Sequence, residues 1–135
     1  MTRLAPGVPL WIDGCHNPAS ATIVADQLEA LLGSGTRLHI ITGILANKDA
    51  GGILSPFCKP GVTFHTVPIP SHSHHAPEEL SNWLGKKGQE AEPVESVEAA
   101  LRAFAKNPSR PAAILVLGSL YLAGDILRRN EQVPE

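Results

Sequence analysis

The sequence predicts an α/β fold, a three-layer Rossmann-like domain with a mostly parallel sheet and helices on both faces. Short apolar runs without polar alternation, such as Val8–Asp13 and residues 112–117, are typical of strands buried on both faces. Segments with apolar residues at helical spacing separate these runs, as expected for parallel strands joined by crossover helices. The length of 135 residues is that of one domain, and no linker or low-complexity tract divides it. We therefore expect a single domain over residues 1–135.

The first half of the chain is expected to contain two strands and two helices. Val8–Asp13 is an apolar strand, and Asn17 and Pro18 then begin a helix, because Asn is a favoured cap and Pro a favoured first helical residue. Glycines at 33 and 35 end this helix. Residues 37–42 form the next strand, and residues 48–56 a helix that two internal glycines weaken.

Six further elements are expected in this order: a strand over 62–67, the helix Pro77–Lys86, a short strand over 91–94, a helix marked by Val97, Leu101 and Phe104, a strand over 112–117, and a last helix over 119–129. Prolines end the first of these strands and begin the first helix. The strand over 112–117 is wholly apolar, so we expect it at the centre of the sheet. Two arginines end the last helix, where cations are favoured.

Charge, hydropathy and cysteine content exclude several classes of protein. The formal net charge is −2, from 11 Lys and Arg against 13 Asp and Glu, which leaves no strongly basic surface for nucleic acid or anionic lipid. The longest apolar run, residues 112–118, is far shorter than the roughly 20 residues of a membrane span. The first residues lack the apolar core of a secretion signal, and Cys15 and Cys58 form no CxxC pair. We expect a cytoplasmic protein with reduced cysteines.

Polar residues follow three of the predicted strands. In an open parallel sheet, ligands bind beyond the carboxyl ends of the strands, where helix N-termini point free N–H groups. Asp13 ends the first strand and His16 and Asn17 follow it, Lys48 follows the second, and Ser119 follows the apolar strand. The sequence contains neither GxxxxGK[ST] nor GxGxxG, so it does not cradle a triphosphate or dinucleotide in the usual way. No GxSxG surrounds Ser119, which argues against a hydrolase nucleophile there.

Three motifs carry a resemblance to a known family. The segments DGCHNP after VPLWI, TGILANKD after RLHII and LGSLYLAGDIL after AAILV occur in that order, and PIPSHSHHAPEEL lies between the last two. Together they resemble the C-terminal domain of folylpolyglutamate synthase/dihydrofolate synthase, in the Mur ligase superfamily. The resemblance spans nearly the whole chain. Cys15 departs from it, since Ala or Gly is more usual there.

The resemblance implies roles for four residues. Asp13 would bind the ribose of a nucleotide, and His16 would be a catalytic, glutamate-binding residue between the ATP phosphates and the incoming glutamate. Lys48 and Ser119 would bind glutamate, as a point charge and as a helix N-terminal group. Each residue also has a structural alternative: Asp13 bonds the turn at Asn17, His16 fills a loop, Lys48 is solvated, and Ser119 caps a helix.

The resemblance also implies an ATP-dependent amide ligase that adds L-glutamate to folate, with ATP and Mg²⁺ in the full-length enzyme and none held by this domain alone. Such an enzyme begins with an N-terminal ATPase domain carrying the phosphate loop and a metal centre, which this sequence lacks. We therefore expect L-glutamate, ATP, folate and that ATPase domain as partners, and an inactive isolated domain. The alternative is a stand-alone Rossmann-like module that binds a small anion or another protein without catalysis.

Five histidines are possible metal ligands by residue type. His72, His74 and His75 form an HxHH cluster of the kind that binds transition metals, but no carboxylate or Cys completes a recognisable spacing. We expect no functional metal site there. His39 and His65 lie within predicted strands and are expected to be structural.

Overall fold

The computed structural model describes residues 2–5, 8–13, 17–32, 37–105 and 113–117. These residues form six strands, β1 (Thr2–Ala5), β2 (Val8–Asp13), β3 (Leu38–Thr42), β4 (Val62–Thr66), β5 (Glu90–Pro93) and β6 (Ala113–Leu117). They also form four α-helices, α1 (Pro18–Leu32), α2 (Ala50–Leu54), α3 (Pro77–Lys86) and α4 (Val97–Ala105), and a 3₁₀ turn over Ser55–Phe57.

The strands make one sheet in the order β1-β2-β6-β3-β4-β5. β1 runs antiparallel to β2, and the other four pairings are parallel. The apolar strand β6 lies between β2 and β3, so its predicted central position is confirmed. Its five residues are all buried, as expected for a strand covered on both faces.

The carboxyl ends of the parallel strands lie in one row. Asp13 pairs with Leu117, Leu117 with Thr42, Thr42 with Thr66, and Thr66 with Pro93. The segments that leave β2, β6, β3 and β4 therefore start from a single edge of the sheet. We call this row the carboxyl edge.

The core has two halves, one on each face of the sheet. Ile40, Phe64 and Leu115 pack in one buried cluster with residues of α1, α2 and α3. Ile41 and Val116, the next residues along two of those strands, belong to a second cluster with residues of α4. Because successive side chains of a strand point to opposite faces, both faces carry an apolar layer. The predicted three-layer α/β fold is confirmed.

Most of the predicted elements occur, and one is clearly shorter than expected. The expected helix over 48–56 is shorter, because the Asp49 side chain accepts a hydrogen bond from the Gly52 amide and caps α2 rather than joining it. The segment then narrows to the 3₁₀ turn Ser55–Phe57. Strand β1 was not expected. The expected helix over 119–129 lies outside the described residues.

Helix length bears on membrane insertion. None of the helices in the described part of the chain is both long and apolar enough to cross a membrane.

Candidate functional site

The carboxyl edge holds the sequence-predicted site residues that the structure describes. Asp13 is the last residue of β2, where its backbone alone is described, and Lys48 lies in the loop that follows β3. His16 and Ser119 lie outside the described residues; in sequence, His16 falls between β2 and α1, and Ser119 follows β6 by two positions. Because the carboxyl ends of the strands lie in one row, the predicted segments after β2, β3 and β6 start from the same edge of the sheet.

Helix α1 begins at this edge. The Asn17 side-chain oxygen accepts a hydrogen bond from the Ser20 amide at 2.9 Å, and the Asn17 carbonyl accepts one from Ala21 at 3.1 Å. Pro18 is the first helical residue. The predicted cap and start of this helix are confirmed. The positive end of the helix dipole thus lies at the last two residues of the DGCHNP segment.

The turn at residues 44–48 fixes the main chain of Lys48. The Lys48 amide donates to the Leu45 carbonyl at 3.0 Å, and the Lys48 carbonyl accepts from Nε2 of His75 at 2.9 Å. Lys48 itself is half-buried. Within the described ranges its ammonium group has no hydrogen-bond or ion-pair partner, which leaves the charge available for an anionic ligand.

A second loop, residues 69–75, lies against this turn. Leu45 and His74 form an isolated antiparallel bridge, the Ala46 amide donates to the Ser73 carbonyl at 3.0 Å, and the His75 amide donates to the Ile44 carbonyl at 2.9 Å. The loops that follow β3 and β4 are therefore joined by main-chain hydrogen bonds into one unit at the carboxyl edge.

The HxHH histidines take part in this loop contact. Nδ1 of His74 lies 2.8 Å from the His72 carbonyl, and Nε2 of His75 bonds the Lys48 carbonyl. Because a carbonyl only accepts, each of these ring nitrogens carries the proton. No group of three or more His, Cys, Asp or Glu side chains among the described residues is placed to hold a metal ion.

Asp49 and Gly52 lie where the start of α2 contacts the first turn of α1. An oxygen of the Asp49 carboxylate accepts from the Gly52 amide at 3.0 Å. A Cβ added at Gly52 would lie 2.6 Å from Cγ of Pro18 and 2.5 Å from Oδ2 of Asp49. Such distances are shorter than real Cβ contacts, so the start of α2 lies against the first turn of α1 only because residue 52 is glycine.

Thr42 and Thr66 end neighbouring strands, and their hydroxyl groups differ in whether they are hydrogen-bonded. The Thr66 hydroxyl donates to the Pro77 carbonyl at 2.8 Å and lies 2.8 Å from the Ser81 hydroxyl, which ties β4 to α3. The Thr42 hydroxyl is fully buried and has no partner within the described part of the chain. Thr42 is the first residue of the TGILANKD motif, but the sequence assigned it no role.

A second polar cluster lies within the sheet, away from the loops. Nδ1 of His39 is 3.0 Å from Nε2 of His65, and Nδ1 of His65 is 3.3 Å from a Glu92 carboxylate oxygen. The pKa of His65 lies below its usual value, because burial lowers it by more than the Glu92 charge and hydrogen bond raise it. These side chains link β3, β4 and β5 and lie in the body of the strands rather than in the loops beyond them.

The chain also has relatives in sequence. A family model described as the C-terminal domain of dihydrofolate synthetase matches residues 4–129. The folylpolyglutamate synthase of Lacticaseibacillus casei is 31% identical over 116 residues, which cover 85% of this chain and 25% of that protein. The chain therefore spans about a quarter of the length of this relative.

Solved structures share the fold. Folylpolyglutamate synthase of Mycobacterium tuberculosis, complexed with ADP and AMPPCP, matches with a TM-score of 0.71 at 22% identity, over 93% of this chain and 30% of that one. E. coli FolC, in complex with DHPP and ADP, matches with a TM-score of 0.72 at 24% identity, over 90% of this chain and 28% of that one. A domain of a Haemophilus ducreyi muramate-peptide ligase matches with a TM-score of 0.59 at 15% identity, over 91% and 88% of the two chains.

Proposed function

Since the chain belongs to the family of dihydrofolate synthetase C-terminal domains, we propose that it is the glutamate-binding, nucleotide-closing part of an ATP-dependent ligase that adds L-glutamate to folate. The observation that carries this proposal is the carboxyl edge, where Asp13 and Thr42 pair with the same residue of β6. The nucleotide-bound relatives from M. tuberculosis and E. coli, which share the fold, support it.

In the proposal, the carboxyl edge has a nucleotide side at β2 and a glutamate side at β6 and β3. Neighbouring strands lie about 4.8 Å apart, so Asp13 on β2 and Thr42 on β3 are separated by about 10 Å with β6 between them. In the proposal, Asp13 contacts the nucleotide ribose. Lys48, in the loop after β3, binds a carboxylate of glutamate, and Ser119, two residues after β6 in sequence, also binds glutamate.

The proposed reaction needs positioning and charge stabilisation from this domain. ATP phosphorylates the γ-carboxylate of a folate glutamyl tail, or the carboxylate of dihydropteroate, to give an acyl phosphate. The amine of L-glutamate attacks the acyl carbon, and the tetrahedral intermediate collapses to an amide, with ADP and phosphate as products. His16 orders the developing charge next to the amine, and Lys48 orients the amino acid.

ATP and Mg²⁺ are assigned to the assembled enzyme rather than to this domain alone. The described residues include no cluster of carboxylate, imidazole or thiolate groups suited to a metal ion. In the proposal, an N-terminal ATPase region supplies the phosphate loop, this domain closes over the nucleotide, and the enzyme works in the cytoplasm.

A matched pair of substitutions in the assembled ligase tests the division of the edge. Lys48→Ala is expected to raise the glutamate KM by about 10- to 150-fold, because a hydrogen bond to a charged group contributes roughly 1.5–3 kcal/mol, and to leave the ATP KM nearly unchanged. Asp13→Ala is expected to raise the ATP KM and to leave the glutamate KM nearly unchanged. Steady-state titrations of both substrates measure the effects. If both variants change the same KM, the proposed division is wrong.

A further inference from the structure

His75 lies in a segment to which the proposed reaction gives no role, yet it contacts both ends of the Lys48 turn. Its backbone amide donates to the Ile44 carbonyl at 2.9 Å, and its Nε2 donates to the Lys48 carbonyl at 2.9 Å. The bonded residues are 27 positions apart in sequence. His75 therefore bridges the loops after β3 and β4 through its side chain as well as its backbone.

The two contacts of His75 differ in what a substitution removes. The amide bond to Ile44, like the Ala46–Ser73 bond and the Leu45–His74 bridge, involves main-chain atoms and persists whatever side chain is present. The Nε2 bond is lost with the imidazole. It is also the contact that reaches Lys48, whose ammonium group has no partner within the described residues.

We propose that His75 is a positioning residue for Lys48, and that its Nε2–H bond to the Lys48 carbonyl holds the turn from which the ammonium group reaches the glutamate carboxylate. This inference rests on the proposed glutamate-binding role of Lys48. His75 itself touches no substrate. Misplacement of a binding group by about 1 Å is enough to weaken a site substantially, so loss of this bond affects glutamate through Lys48.

A double-mutant cycle in the assembled ligase tests the inference. His75→Ala is expected to raise the glutamate KM by about 3- to 10-fold, the range of one neutral hydrogen bond, with the ATP KM unchanged. In a Lys48→Ala background, the same substitution is expected to add no further increase, because the group that His75 positions is gone.

Thermal melts of the same four proteins separate positioning from stability. The His75 bond is accepted by the Lys48 backbone carbonyl, which Lys48→Ala retains. His75→Ala is therefore expected to lower Tm equally in both backgrounds, while its effect on the glutamate KM appears only where Lys48 is present. A merely structural histidine would change the glutamate KM, like Tm, by the same amount in both backgrounds.

Three further variants serve as controls. His75→Gln places an amide nitrogen near the position of Nε2 and is expected to restore most of the glutamate KM, whereas His75→Asn reaches only the position of Nδ1 and is expected to behave as His75→Ala does. His75→Asn also replaces His75→Ala if the latter fails to fold. His74→Ala removes only a bond to the His72 carbonyl and is expected to leave both KM values unchanged.

The outcomes distinguish this inference from the proposed function. An unchanged glutamate KM in His75→Ala, or an equal increase in the Lys48→Ala background, overturns the positioning role while the role of Lys48 stands. An unchanged glutamate KM in Lys48→Ala overturns the role of Lys48 and, with it, this inference.

Discussion

At the scale of single residues, Thr42 has the least expected environment in the described core. Among the described residues its buried hydroxyl has no partner, whereas the hydroxyl of Thr66, its neighbour in the row, bonds the Pro77 carbonyl. An unpaired buried hydroxyl costs roughly 1–3 kcal/mol, and natural proteins keep few of them.

Substitution of the two threonines by valine tests this difference. Thr42→Val is expected to raise the free energy of unfolding by about 1–2 kcal/mol, because valine has the same shape without the unpaired hydroxyl. Thr66→Val is expected to lower it by about 1–2 kcal/mol, because the hydroxyl ties β4 to α3. Urea denaturation of the 135-residue chain measures both. A comparable loss in Thr42→Val would show that its hydroxyl has a partner in the folded protein.

Residue-scale features were predictable from the sequence only where they are local. Asn17 and Pro18 were identified because a cap and a first helical residue depend on their immediate neighbours. The bond between His75 and Lys48 joins residues far apart in sequence, and no motif encodes it. Whether the Thr42 hydroxyl finds a partner likewise depends on what packs over it. The roles of His16 and Ser119 stay predictions.

At the scale of elements, the contact between α1 and α2 determines how the two site segments meet. Both glycines of α2 lack a Cβ, but their surroundings differ. A Cβ at Gly51 would lie 3.4 Å from Cζ2 of Trp83, an ordinary contact, whereas one at Gly52 would overlap Pro18 and Asp49. Alanine at either position changes helix propensity, but only alanine at position 52 also meets close packing, so the two substitutions distinguish these effects.

Alanine at each glycine tests the packing of these elements. Gly52→Ala is expected to destabilise the chain by about 1–3 kcal/mol, the usual cost of overpacking, since either the Asp49 cap or the first turn of α1 must move. Gly51→Ala is expected to change stability by less than about 1 kcal/mol and is the matched control. Thermal melts measure both. Equal losses would mean that the close approach at Gly52 does not hold α1 against α2.

Element prediction succeeded where the pattern of one segment is sufficient. The helix Pro77–Lys86 and the strand Val8–Asp13 have the predicted bounds because proline punctuation and a continuous apolar run mark them. Strand β1 was missed because it is a short edge strand whose structure comes from antiparallel pairing with β2. The length of α2 was overestimated because Asp49 prefers the cap.

At the scale of the whole molecule, the fold class followed from apolar runs separated by helical segments, but the strand order did not. A chain pattern does not say that β6, the last described strand, inserts between β2 and β3. That insertion aligns Asp13, Leu117 and Thr42 in one row. Three motifs that are far apart in sequence therefore start from one edge of the sheet. The site could be predicted as a set of segments, and the arrangement needed the structure.

We propose that this chain supplies the glutamate side of a ligase whose ATP-hydrolysing groups lie in another region. The most direct measurement is glutamate-dependent ADP release by the isolated 135-residue chain and by the same chain joined to a family ATPase region. The joined protein is expected to release ADP over repeated turnovers only when folate and L-glutamate are both present, and the isolated chain to release none. Turnover by the isolated chain, or ADP release from the joined protein that ignores glutamate, would contradict the claim.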